Sequence, residues 1–531
     1  VSRAAWFFLG LGVAIRLVRY LVNYPIWHDE AFLAVNFWDR GYVDLLRPLH
    51  YGQIAPWLFL AIERTAVVWL GYSEPVLRFF PTLCSLASVP MFAVVSRQVL
   101  PTRARVLAMG IFATSIYTVR HGAEIKPYAS DLLVALAVIG LALRWVKRPE
   151  QGRWWWVLAA IVPVLVPLSY PSVFVAGGVG AALGPRALRS GRWPVRLGCA
   201  VFGVILVASF LSFYAASASF QAEAMRQEYR TGCWAESFPP WERPWAIPLW
   251  LLDIHAGTMM AYPVGDRHGG SAATLLCVMV GCLVLMRRGQ DQPLPVLLAP
   301  LGVGLLAACL GRYPYGGAPR VMQYAAPSIC MLAGLGLSVV LERVARSRVG
   351  RRGWAGAILG LTLLGTGLMV RDLACPYRVE SDVRTREFAR RLWSQGSHLG
   401  ELACLKSDFG LAFSQSQWSV GMSAVYLHHQ RMFSPRHRSR GSVNLDPNRY
   451  SEDRPLRLVA FDHLPEEVPA FKRWLMALED RFRLQGRDSF EVQPGKPGED
   501  WLRDAYEILE LVPRQPRVAT RNSGGEGSRR R

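Results

Sequence analysis

Residues 355–370 read AGAILGLTLLGTGLMV, with no charge anywhere in the run. Just upstream stand Arg343, Arg346, Arg348, Arg351 and Arg352; beyond residue 371 the chain turns charged and mixed. An uncharged run close to the roughly 20 residues a bilayer requires is a membrane crossing. Arginines massed at one end mark its cytoplasmic foot by the positive-inside rule.

Working outward, the same pattern recurs back to residue 4, as in 155–169 (WWVLAAIVPVLVPLS). The chain of 531 residues is 52% hydrophobic and carries a formal net charge of +21. That charge could suggest nucleic-acid affinity, but its placement excludes it. Arg97, Arg103 and Arg105 lie between two apolar runs, as do Lys147, Arg148 and Arg153; Arg186, Arg189, Arg192 and Arg196; and Arg287 and Arg288. Short basic loops between apolar runs report topology.

If all five clusters are cytoplasmic, the spans between them come in pairs. The expected crossings are 4–24, 76–98, 104–119, 128–146, 154–169, 171–185, 195–216, 271–287, 293–310, 319–342 and 353–371, about eleven. The N terminus is then inside and the C terminus outside. Residues 54–70 (IAPWLFLAIERTAVVWL) would invert every later loop if they crossed, and carry Glu63 and Arg64 mid-run, so an outer-face interfacial helix is expected. By the same parity 245–262 is interfacial or re-entrant.

The fold class is therefore a polytopic α-helical membrane protein with a small extracytoplasmic α/β C-terminal domain. Its parts are a membrane domain over 1–371, with an outer-face loop at 25–75, a soluble domain over 372–513, and a disordered basic tail over 514–531. In the soluble part LRLVAF (456–461) predicts a strand and 466–482 a helix. The nine cysteines include no CxxC, and six of them sit in apolar runs. An extracytoplasmic placement would let Cys375 and Cys404 pair. A cleavable signal peptide is not expected, because the first apolar run holds Arg16 and Arg19 and lacks a small-residue cleavage site. No internal repeat is evident.

Three polar clusters fall on the expected outer face. The first is His28-Asp29-Glu30-Ala31-Phe32, the second runs from Arg120 through His121, Glu124, Lys126 and Tyr128 to Asp131, and the third is Gly311-Arg312-Tyr313-Pro314-Tyr315-Gly316-Gly317-Ala318-Pro319-Arg320. Carboxylates in the first can act as a base or hold a divalent cation. Lys126 and Arg320 suit a phosphate headgroup. With five lysines against fifty-five arginines, a lysine in an outer loop is informative. Each feature alone has an ordinary reading: solvated juxtamembrane acids, a headgroup anchor at Lys126, a helix-starting Arg320, structural histidines at His28 and His121, and a turn at Tyr315. Together at one mouth they outweigh it.

These residues resemble the GT-C superfamily of integral-membrane glycosyltransferases, in the bacterial branch related to protein O-mannosyltransferases and lipid A aminoarabinose transferases. The resemblance rests on Asp29-Glu30 within HDEAFLAVNF, on PLHYGQIAPWLFLAIERTAVVWLGYSEPVLRFFPTLCSLASVPMF (48–92), on RHGAEIKPYASDLLVAL (120–136) and on YPYGGAPRV (313–321). It implies a GT-C-like bundle, a polyprenyl-phosphate sugar donor attacked with inversion, and Asp29 as catalytic base. Glu30 would support it or bind metal, Lys126 and Arg320 would hold the phosphate, and His28, Glu124, Tyr128 and Tyr315 would support the site. One departure stands out: Gln53-Ile54-Ala55-Pro56 occupies the place of that branch's Lys-Pro-Pro, so a lipid A substrate does not carry over. Metal dependence varies in the superfamily, so a divalent cation is left open and no other cofactor is implied.

The expected function is transfer of a sugar from a polyprenyl-phosphate carrier to an acceptor hydroxyl at the outer face of a cell (inner) membrane. The partners are the lipid-linked donor, an unspecified acceptor and the bilayer, without nucleic acid. The alternative is a transporter or flippase of a lipid-linked or anionic substrate, disfavoured because few charges lie mid-span.

Overall fold

The structure is a computed structural model that describes residues 3–224, 229, 232, 234–265, 269–287, 293–344, 348–377, 380–394, 401–404, 455–461, 475–493 and 504–514. The chain divides into two compact units, Val1–Arg378 and Val379–Arg531.

The first unit is helical, and helices occupy the apolar runs in order. Among the described residues six helices are long and apolar enough to cross a membrane: Arg3–Leu21, Phe79–Val99, Tyr128–Lys147, Trp193–Ala222, Gln323–Arg343 and Arg352–Ala374. Arg153–Leu168, Ser172–Leu188, Gly270–Met286 and Leu294–Cys309 are shorter apolar helices. Tyr128–Lys147 and Gln323–Arg343 are each 78% buried and form the centre of the unit, whereas Arg352–Ala374, at 11%, runs along its periphery. Tyr128–Lys147 opens after Pro127, with Asp131 in its first turn and Arg144 and Lys147 in its last, so its charges complement the helix dipole.

Residues 104–119, expected as one span, are divided into Thr102–Ala113 and Ile116–Arg120. The cause is the buried Arg16, whose guanidinium reaches the carbonyls of Ala113 at 3.2 Å and Phe112 at 3.5 Å and the Thr118 hydroxyl at 3.0 Å. Ile116 N–H turns instead to Pro263 O, at 3.0 Å. Carbonyls orphaned by the break are thus satisfied by a side chain from another helix.

The run 54–70 forms the helix Trp57–Leu70. Its two mid-helix charges go different ways. Arg64 donates to Phe37 O at 2.6 Å, which fastens the first loop. Glu63 is fully buried, its carboxyl oxygens have no hydrogen-bond partner among the described residues, and burial pushes its carboxyl well above the ordinary range. A neutral, protonated Glu63 is what apolar surroundings select.

Close helix packing depends on small residues. A methyl group added at Gly281 would meet the Leu332 carbonyl, and one at Gly336 the Cys277 carbonyl, so Gly270–Met286 and Ala326–Val344 touch backbone to backbone. Glycine stripes permit such approach in bundles where lipid cannot drive helices together.

The second unit holds a four-stranded mixed sheet in the order β1-β2-β4-β3, with β1 Glu401–Cys404, β2 Leu456–Phe461, β3 Phe482–Gln493 and β4 Asp504–Pro513. β1 pairs parallel to β2, and the β2–β4 and β3–β4 pairs are antiparallel. The helix Glu380–Ser394 lays Phe388 on Phe490 of β3, ring centroids 4.8 Å apart. Strand β2 is the segment LRLVAF. Of the helix expected over 466–482, residues 475–479 are helical, 466–474 lie outside the described residues, and Phe482 already begins β3. Cys375 is an exposed free thiol, and the side chain of Cys404 lies outside the described residues, as does the tail from 515.

Gly336→Val should lower stability by about 1–3 kcal/mol through overpacking against backbone. Gly360→Val, where a methyl group meets open space, should change it little; thermal unfolding in detergent compares the two, and equal midpoints would refute the packing argument.

Candidate active site

The first loop begins at a left-handed Asn23 (φ 43°), a conformation asparagine tolerates. The next residue, Tyr24, is buried between two guanidinium groups, Arg19 at 4.1 Å and Arg78 at 3.8 Å from its ring centre. Its hydroxyl donates to Ala123 O at 3.1 Å. The chain then enters the short helix His28–Ala34.

Glu30, in the first turn of that helix, is fully buried. Its Oε1 accepts from Arg78 Nε at 3.1 Å and Ile125 N at 3.0 Å, and its Oε2 from Arg78 Nη2 at 2.8 Å and Trp27 N at 3.3 Å. Burial pushes the Glu30 carboxyl up from its ordinary value, opposed by Arg78 and the Ile125 N–H. Every hydrogen-bond partner named here is a donor, so these contacts fit the ionised carboxylate, and Arg78 is correspondingly pushed up by Glu30 against its own burial. From sequence Glu30 is expected to support Asp29 or to bind metal; both its oxygens accept from Arg78 and backbone N–H groups, which fastens the loop that carries Asp29.

Asp29 precedes Glu30 and, about 100° around the helix, faces a different set of groups. Its Oδ1 lies 2.9 Å from Lys126 Nζ and its Oδ2 3.8 Å from Arg320 Nη1. The Asp29 and Arg320 side chains keep 19% and 23% of their surface exposed, enough for a ligand to reach, while Lys126 keeps 6%. Lys126 Nζ also donates to Gln53 Oε1. The Arg320 guanidinium lies 5.5 Å from the Trp27 ring centre and 5.2 Å from that of Trp234. Three segments far apart in sequence thus place one carboxylate and two cations together.

A second tier stands behind Lys126. Glu124 O accepts from Lys126 N at 2.7 Å, and the Glu124 carboxylate lies 2.8 Å from His121 Nδ1. Burial lowers the pKa of His121 against the pull of Glu124. A neutral ring donating Nδ1–H to Glu124 fits this balance, the tautomer being inferred from the partner. Tyr128 meets that ring edge-on at 5.6 Å. Tyr315, expected beside these residues, turns elsewhere, its hydroxyl 3.3 Å from His255 Nε2. The His28 side chain lies outside the described residues.

Gln53, Trp27, Trp234 and Arg78 were not singled out as site residues from sequence. For Arg78 a signal existed: an arginine directly preceding the apolar helix Phe79–Val99. Among the described residues no three His, Cys, Asp or Glu side chains gather. With Glu30 occupied and Asp29 facing two cations, this donor set does not fit a resident divalent cation.

No protein-family model matches the chain, and no curated protein matches it in sequence. Among solved structures it aligns with ArnT from Cupriavidus metallidurans bound to undecaprenyl phosphate, at a TM-score of 0.55 and 13% identity over 95% of this chain and 98% of that one. The apo state of that protein gives 0.52 at 13% identity, with the same coverage. The Archaeoglobus fulgidus oligosaccharyltransferase in complex with Zn and sulfate gives 0.46 at 13% identity, over 96% of this chain and 75% of that one. The likeness to ArnT over nearly both whole chains shows that this chain shares the fold of that structure.

The two neighbouring acids should separate experimentally. Glu30→Gln breaks a buried ion pair and should cost about 3–5 kcal/mol. Asp29→Asn, at a part-exposed pair, should change stability by at most about 1 kcal/mol. Unfolding midpoints of the two purified variants test this, and similar losses would refute the division of roles.

Proposed function

We propose that this GT-C-fold chain is an inverting glycosyltransferase that moves a sugar from a polyprenyl-phosphate carrier to an acceptor hydroxyl. The observation that carries the reading is Asp29 set between Lys126 and Arg320 at the mouth of the bundle. A carboxylate beside two cations suits a displacement that needs a base on one partner and charge stabilisation on the other. The acceptor hydroxyl gives its proton to Asp29 as its oxygen bonds the anomeric carbon. The bond from that carbon to the phosphate oxygen breaks, and the electron pair leaves on the polyprenyl phosphate. Lys126 and Arg320 neutralise the charge gathering there.

Glu124, His121 and Tyr128 support Lys126 from behind. Undecaprenyl phosphate in the ArnT complex supports a lipid-phosphate ligand for this fold.

The same reading places residues 1–371 in a membrane domain of about eleven crossings, the N terminus cytoplasmic. The 25–75 loop and the α/β domain at 372–513 are then extracytoplasmic, in a cell membrane. Parity of the basic loops supports this orientation.

Purified protein in nanodiscs, given a radiolabelled polyprenyl-phosphate sugar and a cell-envelope extract as acceptor, should release polyprenyl phosphate and label the acceptor. Asp29→Asn should slow turnover by about 10²–10⁴-fold, the range for a lost general base. Lipid translocation without sugar transfer would overturn the reading in favour of a transporter, and full activity in Asp29→Asn would remove the base from Asp29.

A further inference from the structure

We propose that Gln221 recognises the sugar of the lipid-linked donor, its side-chain amide nitrogen donating to a sugar oxygen. This inference rests on the transfer reading above and names the side chain that tells the carried sugar from its lipid phosphate.

Gln221 lies near the C-terminal end of the apolar helix Trp193–Ala222 and is only 1% exposed. Its Oε1 accepts from Ala55 N at 3.1 Å and from the Tyr170 hydroxyl at 2.7 Å. A backbone N–H can only donate, so the amide presents its oxygen to Ala55, and this decides which way Nε2 points. That nitrogen is buried with no hydrogen-bond partner among the described residues. Ser217, four residues earlier and so on the same side of the helical path, is fully buried too, its hydroxyl likewise unpartnered among the described residues. The turn that carries it, Tyr214–Ala218, is a π-helix, a form that recurs at functional sites.

Roughly nine in ten buried polar groups find a partner, and an unmet one costs about 1–3 kcal/mol. Two such atoms one turn apart suit a guest rich in oxygen. Their place in the fold says which guest. Ala55 is two residues from Gln53, whose side chain accepts from Lys126 Nζ. Gln53 is itself in an extended conformation, and two extended residues reach about 7 Å at most. Farther along the chain from Gln221, Trp234 lays its ring 5.2 Å from the Arg320 guanidinium. Gln221 and Trp234 thus flank the two cations offered to phosphate, and a sugar carried on that phosphate meets Gln221 beside them.

The chemistry of the pair fits hydroxyls. An amide N–H and a serine hydroxyl are neutral, whereas phosphate draws cations. Because Ala55 and Tyr170 already engage Oε1, the direction of Nε2 is held before a ligand arrives, and no ordering cost falls on binding. A site prepared to hydrogen-bond a hydroxyl penalises a ligand without one, since its donor is left unpaired.

The test measures binding to the full chain in nanodiscs, with an unfolding midpoint for each protein. The probes are a panel of polyprenyl-phosphate hexoses and pentoses, and polyprenyl methyl phosphate, a diester of the same charge without a sugar. The quantity read is the affinity for the best-bound sugar probe divided by that for the methyl diester. Gln221→Met removes the donor. Gln221→Glu also removes it but keeps an oxygen for Ala55 N–H; two facing donors favour its carboxylate form, and the added charge acts alike on both diesters. In each variant the ratio should fall about three- to tenfold, the loss of one hydrogen bond. Equal losses for both probes would make Gln221 a support of the 53–55 segment and overturn the proposal. An unchanged ratio overturns it as well, as does a wild type that binds no sugar probe more tightly than the methyl diester. Absence of binding of every polyprenyl phosphodiester by wild type would sink the transfer reading itself, and this inference with it.

Discussion

The site depends on one buried ion pair. Glu30 and Arg78 lie almost wholly out of solvent, 2.8 Å apart at their closest. Removing both charges from water costs several kcal/mol per ion, and attraction alone seldom recovers it. Here additional partners do. Glu30 accepts from two backbone N–H groups besides the guanidinium, and Arg78 donates to Tyr24 O and, at 3.3 Å, to Pro25 O. With its partners satisfied, the pair joins the first loop, the start of Phe79–Val99 and the strand of chain leading to Lys126.

That joint gives adjacent acids opposite duties. One helix turn carries Glu30 into the protein and Asp29 toward the mouth, so fixing the first orients the second. Ile125 N–H binds Glu30, and Lys126, the next residue, binds Asp29. Two consecutive residues of one segment thus grip two consecutive residues of another. This register sets the Asp29–Lys126 distance more firmly than either flexible side chain could alone.

Much of the architecture was legible because it follows from charge and length. Apolar runs bounded by arginines mark the helices, and three polar clusters predicted which segments would meet. What was not legible depends on direction. Sequence adjacency left Glu30 undecided between supporting Asp29 and binding metal, since nothing in the letters says which side of a short helix faces inward. Arg16 served only to argue against a signal peptide, yet it divides the 104–119 run by reaching carbonyls nearly a hundred residues away. Glu63 and Arg64 looked like one polar interruption, whereas one is buried, with its carboxyl pushed well above the ordinary range by desolvation, and the other holds loop carbonyls. Tyr315 sits in the right cluster but turns to His255, because the Gly316-Gly317 turn directs the backbone and leaves the side chain to local packing.

The Tyr24 sandwich has a further side. Its outer guanidinium, Arg19, is buried and ends on Asp372, 2.7 Å away and 353 residues later in the chain. During synthesis Arg19 precedes its carboxylate by 353 residues. A nascent chain therefore carries a cation in the apolar helix Arg3–Leu21 with no Asp372 to receive it until Arg348–Ala374 has been produced. Arginine in such a helix remains near water while it waits. Closure of Arg3–Leu21 against Arg348–Ala374 in this sense waits for the later helix.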